Sequence, residues 1–130
     1  MGYYNNIYNT RLQIDLKHRF FTLDELYASA VARREGILNM PPASAQHNMH
    51  LLIHYLLDPI RSAWQDVIHV TSGYRCPTLN QLVGGSVTSH HQLGLAADIV
   101  PRNSASKDEV RALWNCITKL ASQKDLPICQ

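Results

Sequence analysis

The chain has 130 residues, 45% of them hydrophobic, which is enough for one domain with a real core and too few for two ordinary ones. Formal net charge is +2 with seven histidines taken as neutral, and no run of Lys or Arg tracks one face, so the electrostatics argue against nucleic acid or an anionic membrane as partner. The three cysteines, Cys76, Cys116 and Cys129, are odd in number and lack C-x-x-C spacing; they indicate neither a disulfide framework nor a cysteine zinc site and are expected as reduced thiols.

Met1 to Leu12 is polar and rich in Asn and Tyr, without the basic start and apolar stretch of a secretory signal, and no later run reaches membrane-spanning length. The expectation is an N-terminal arm over 1–19 and a soluble single domain over 20–130 with no export signal. Thr22-x-x-Glu25 is a capping box and predicts a helix from Leu23 to Arg34, stopped by Gly36. Asn39-Met40-Pro41-Pro42 reads as a loop. From Ala43 to Trp64, Met49, Leu52, Ile53, Leu56, Leu57, Ile60 and Trp64 recur at helical spacing, with Pro59 expected to kink the helix or start a new turn. Opposite them stand His47, His50, His54 and Asp58. Such a stripe can chelate a metal, but no outer-shell carboxylates accompany it, and a solvated polar face is expected.

Val67 to Thr71 is β-branched and predicts a strand, with His69 as a paired or edge histidine. A turn-rich exit, Ser72 to Pro77, leads to a short helix ending at Gly84-Gly85. A second strand is expected from Leu95 to Val100. Ser106-x-x-Glu109 opens a last helix to about Ser122, and Leu126 to Cys129 looks like the start of another strand. Helices first, then strands, then a late helix, make the fold class α+β.

Chemistry concentrates in Ser89-His-His-Gln-Leu-Gly-Leu-Ala-Ala-Asp98. A carboxylate in an apolar strand is expected to be mostly buried and to need a partner. Gly94 can take a positive φ and fold His91 back toward Asp98, giving one nitrogen and one oxygen ligand of the kinds zinc accepts. The alternative is an Asp98 hydrogen-bonded to Ser89 or to backbone amides.

The pattern Ser89-x-His91-x-x-Gly94-x-Ala96-x-Asp98 resembles the signature of the zinc D-alanyl-D-alanine carboxypeptidases, peptidoglycan peptidases that share their fold with the hedgehog signalling domain. Ser72-Gly73-Tyr74-Arg75 and Leu79-Asn80 with Val83-Gly84-Gly85 resemble two further motifs of that family, and Leu57-Asp58-Pro59-Ile60-Arg61 resembles its small phage-type and bacterial members. The likeness covers about Phe20 to Pro101. It implies a hedgehog/DD-peptidase-like domain with N-terminal helices packed on a small, mainly antiparallel sheet. It also implies zinc on His91 and Asp98, Arg75 stabilising the substrate carbonyl as charge develops, and Tyr74 and Ser89 near the substrate. The implied reaction is metal-assisted hydrolysis of an amide bond in a peptidoglycan stem peptide, as in a phage lysis protein.

A catalytic zinc site takes three protein ligands. The family's third, a histidine preceded by the acidic general base, belongs to later strands, and no histidine follows His91 here. His69 and His90 are the local candidates to replace it. Three outcomes are open: a peptidase lacking its last strands, a non-catalytic cell-wall-binding remnant, or a homo-oligomer in which a second copy completes the site.

Overall fold

The structure, a computed structural model, describes residues 18–124. The polar segment Met1 to Leu12, Cys129 and the strand expected at Leu126 to Cys129 lie outside the described residues.

Helix α1 (Leu23–Tyr27) starts on the capping box: the Thr22 hydroxyl accepts the Glu25 amide, and Glu25 Oε1 accepts the Thr22 amide at 3.0 Å. The expected single helix to Arg34 is two. Ala28 and Ser29 are extended, and the Ser29 hydroxyl caps a new helix, α2 (Ala30–Arg34), by accepting the Ala32 amide at 3.1 Å. A serine at this point competes with the backbone for that amide, so it starts a helix instead of continuing one.

The long helical segment also divides, into α3 (Ala43–Leu52), a π-helical turn (Ile53–Leu57) and α4 (Asp58–Trp64). Pro59 has no N–H to donate to the carbonyl four residues back, and in a regular α-helix its ring would collide with that carbonyl. The wider π turn just ahead of it, in which the Asp58 amide bonds to the Ile53 carbonyl, accommodates the ring without breaking the rod.

β1 (Ile68–Ser72) and β2 (Asp98–Pro101) form an antiparallel pair, the only sheet among the described residues. Ile68 faces Pro101 and Ser72 faces Asp98, with a bulge between Val70 and Ser72. β2 begins three residues later than the apolar pattern suggests. Gly94 is left-handed (φ +74°) and the Leu95 amide bonds back to the His90 carbonyl at 3.1 Å, which keeps 95–97 in the exit of the turn. Between the strands lie α5 (Pro77–Leu82) and a 3-10 turn (His90–Leu93).

Helix α6 (Lys107–Lys124) follows β2. The Ser106 hydroxyl accepts the Glu109 amide at 3.2 Å, while the Glu109 carboxylate accepts the Asn103 amide instead of closing a full box. Its Leu113, Ile117 and Leu120 join Leu26, Met49, Ile53, Leu57, Ile60, Ile68 and Tyr74 in one core. Each such buried side chain contributes about 1.5–3 kcal/mol. The architecture is mixed α+β: α1 packs against β1 and α6 against β2 of a two-stranded sheet whose bulged end carries Ser72 and Asp98. No helix among the described residues is long and apolar enough to cross a membrane.

Candidate functional site

Three segments meet at the bulged end of the sheet: the exit of β1 through Gly73-Tyr74-Arg75, the 3-10 turn, and the first residue of β2. The Ser89 hydroxyl accepts the His91 amide at 3.2 Å and so starts the 3-10 turn, and Gly94 ends it. From the other side Asn48 on α3 donates to the Leu93 carbonyl at 2.8 Å. A Cβ on Gly94 would come within 2.5 Å of the Ala45 carbonyl oxygen and 2.9 Å of Met49 Cγ. Glycine is therefore required there both for its conformation and for the closeness of α3.

With the turn fixed, His91 Nε2 and Asp98 Oδ2 stand 3.7 Å apart. His91 Nδ1 lies 2.6 Å from the Gly73 carbonyl oxygen. A carbonyl can only accept, so Nδ1 carries the proton and Nε2 turns toward the carboxylate. With the ring neutral, the Nε2 lone pair and a carboxylate oxygen face the same point, where either a proton on Nε2 or a metal ion would satisfy both. Ligands at 2.0–2.2 Å from a tetrahedral zinc are separated by about 3.3–3.4 Å, so the pair suits two corners of a zinc site after a shift of a few tenths of an ångström.

One expectation is corrected. Asp98 is not buried among apolar residues: its side chain is 62% exposed, whereas that of His91 is 12% exposed. As the first residue of β2, Asp98 projects from the end of the sheet into a cleft, and desolvation does not force a partner on it. Ser89 does not satisfy it either: its hydroxyl accepts the His91 amide and makes no hydrogen bond to Asp98.

The cleft has a volume of about 230 Å³. Its floor is Thr71 to Arg75, its walls are Ala28, Ser29 and Val31 on one side and Leu79 and Val83 on the other, and Asp98 stands at its edge. Arg75 Nε is buried with no hydrogen-bond partner in the protein. Tyr74 borders the cleft but is only 5% exposed, and burial raises its phenol above the ordinary value. A larger hollow of about 380 Å³ lies elsewhere, lined by Arg19, His54, Asp58, Pro59, Ser62, Ala63 and Leu120. It too has an arginine, a histidine and an aspartate on its lining, but Asp58 there is committed to the Arg19 and Phe20 amides, whereas the smaller cleft borders the His91–Asp98 pair and is the candidate site.

The histidine stripe is not simply a solvated face. His50 Nδ1 lies 2.6 Å from His18 Nε2 with the rings stacked, and burial lowers the pKa of both. Asp58, 7% exposed, accepts the amides of Arg19 at 2.8 Å and Phe20 at 3.2 Å. It acts as a clasp for the incoming chain, and the Arg61 guanidinium stacks over the Phe20 ring at 4.7 Å. No group of three or more His, Cys, Asp or Glu that could hold a metal occurs among the described residues. Neither His69, exposed on β1, nor His90 joins His91 and Asp98.

Two asparagines take structural roles: in the sequence Asn80 stands out only as part of a family-like motif, and Asn39 is not singled out. Asn80 on α5 is buried and donates to the Ser86 carbonyl at 2.8 Å, ordering the loop that leads to Ser89. Asn39, assigned to a plain loop, is buried against the floor of the cleft; its only sequence signal was a polar residue shortly before two prolines.

The profile of the peptidase M15 family matches residues 19–120 of this sequence. The chain belongs to the peptidase M15 family. The match begins where Asp58 fastens Arg19 and runs through Leu120 of α6, so it takes in the cleft and every element that shapes it. No curated protein and no solved structure matches the chain. In this M15 chain the Ser-Gly-Tyr-Arg segment and Asp98, the last residue of the Ser-x-His-x-x-Gly-x-Ala-x-Asp segment, line one cleft, with His91 beside Asp98.

Proposed function

We propose that this M15 chain is the core of a zinc-dependent peptidoglycan peptidase of the hedgehog/DD-peptidase fold, acting on an amide bond of a stem peptide as a D-Ala-D-Ala carboxypeptidase or endopeptidase. M15 peptidases are typically zinc-dependent. The observation that carries the proposal is the 3.7 Å approach of His91 Nε2 to Asp98 Oδ2 beside a cleft that contains Arg75. His91 and Asp98 would hold the metal. Zinc, when bound, supplies Lewis-acid chemistry that polarises a carbonyl and acidifies water.

The remaining work falls to this chain's own groups. The Gly73 carbonyl fixes the His91 tautomer and ring plane. Arg75, which lines the cleft, stabilises negative charge developing on the carbonyl oxygen of the scissile bond. Tyr74 and the walls at Val31 and Leu79 give the substrate a small apolar bed, and Ser89 acts on it through the turn that presents His91. The third metal ligand and the general base are not among the described residues, and weak zinc binding with little or no hydrolysis is the expectation for this chain by itself.

Purified chain immobilised on a column and offered stem peptide ending in D-Ala-D-Ala tests the proposal. The expected result is zinc-dependent retention of the peptide, abolished by EDTA and by His91→Ala, with little or no release of D-alanine or shortened peptide. Undiminished retention in EDTA would overturn it in favour of a metal-free cell-wall-binding module.

A further inference from the structure

The floor of the cleft, Gly73 to Cys76, has no regular secondary structure, yet it carries Arg75 and the carbonyl that orients His91. Its backbone groups must be satisfied by something other than a ladder. The Tyr74 amide donates to the Leu26 carbonyl at 2.5 Å, and a Cβ on Gly73 would overlap the Leu26 backbone, so the segment lies directly on the end of α1. The Arg75 amide donates to the His91 carbonyl at 3.1 Å. The Tyr74 carbonyl and the Cys76 amide belong to the two peptide groups flanking Arg75.

One side chain takes both. Asn39 Nδ2 donates to the Tyr74 carbonyl at 3.0 Å and to the Tyr27 carbonyl at 2.8 Å, and Asn39 Oδ1 accepts the Cys76 amide at 2.7 Å. Asn39 is 8% exposed. The carboxamide is thus engaged as both donor and acceptor, astride the residue whose guanidinium lines the cleft. An aspartate would turn an anionic oxygen on two carbonyls, a leucine would strand three backbone groups, and a glutamine would overreach.

We infer that Asn39 is the positioning residue for Arg75: by bridging the peptide groups before and after it, and tying them to the end of α1, Asn39 sets where the guanidinium stands in the cleft. Arg75's catalytic role comes from the function proposed above, but the clamp itself is independent of that role. A flexible Arg75 would turn its guanidinium out to water or a surface carboxylate; a fixed one stays at the cleft with its Nε buried and without a protein partner.

The test reads Arg75 directly, in the absence of zinc and substrate, so its outcome does not depend on whether the protein hydrolyses anything. In the ¹⁵N-labelled chain the Arg75 Nε–H correlation is assigned and its hydrogen exchange measured against the core amides of Leu113 and Ile117. Asn39→Ala is expected to move the Arg75 signal and to speed its exchange by about tenfold or more, with the core amides unchanged. Asn39→Asp is expected to behave like Asn39→Ala at about pH 7 and to return toward wild type at about pH 5, because burial against two carbonyls favours the neutral carboxyl, whose O–H replaces one donor. The Asp variant also carries the test if the Ala variant fails to fold. An Arg75 signal unmoved by Asn39→Ala, core amides exposed in parallel with it, or an Asp variant that never recovers, would each overturn the inference.

Discussion

Replacing Gly94 with alanine tests how the His91–Asp98 pair is built. Two costs add. The left-handed φ of +74° strains any L side chain by about 1–2 kcal/mol, partly offset by the lower entropy of the unfolded alanine chain. The new Cβ would also stand 2.5 Å from the Ala45 carbonyl oxygen and 2.9 Å from Met49 Cγ. Ordinary contact is about 3.5 Å or more, so α3 or the turn must retreat by roughly 1 Å, an overpacking cost of about 1–3 kcal/mol. The total is about 2–4 kcal/mol, or a fall of about 1–2 M in the urea midpoint for an ordinary slope. Gly84→Ala is the internal control, because Gly84 has φ +79° with nothing within 4 Å of a new Cβ. It carries the backbone cost alone, about 1 kcal/mol. Urea unfolding of both variants followed by tryptophan fluorescence measures the difference. Equal midpoints would refute the claim that α3 holds the turn in place by direct contact.

Other perturbations have expected outcomes. Asp58→Asn removes the charge behind two buried hydrogen bonds and is expected to cost about 1–3 kcal/mol, with faster amide exchange at Arg19 and Phe20; unchanged exchange there would contradict the clasp. Asn48→Ala is expected to lower stability by about 1 kcal/mol and to broaden the NMR signals of the His90–Leu93 turn, and no change in those signals would mean the contact to Leu93 is idle. The pKa values of His18 and His50 are lowered mainly by burial, with neighbouring histidines adding to the effect and Asp58 opposing it at His18. Folded values below the ordinary 6.5 mean that the unfolded chain takes up protons first. Their contribution to stability is therefore fully present above that pH and is lost as pH falls through it toward the folded values. Thermal melts between about pH 7.5 and 5.5 should show this decline, flattened in His50→Gln; an equally steep decline in the variant would remove the pair as its source.

Much of this arrangement was legible in the sequence because it is local. Thr22 with Glu25, Gly36, and the His91-Gly94-Asp98 spacing each encode a geometry within a few residues, and the structure shows all three. What was misread depends on distant contacts. Asp98 looked buried because its neighbours are aliphatic, yet the strand starts at Asp98 and the carboxylate leaves the sheet at its end. The helix from Leu23 divides because Ser29 prefers a cap to a helix interior, a choice that the apolar spacing does not record. Asp58 sits on the polar side of a helix, and only the returning chain at Arg19 and Phe20 covers it. Asn39 has no pattern at all: its three partners lie at Tyr27, Tyr74 and Cys76, up to 37 residues away.

Zinc titration of the purified chain by isothermal calorimetry, beside His91→Ala, Asp98→Ala and His50→Ala, addresses the metal most directly. A single weak site that disappears in the first two variants and survives in the third is the predicted result, since two protein ligands give less affinity than a complete set. Binding that persists without His91 and Asp98, or that vanishes with His50, would contradict the assignment of the metal to the cleft.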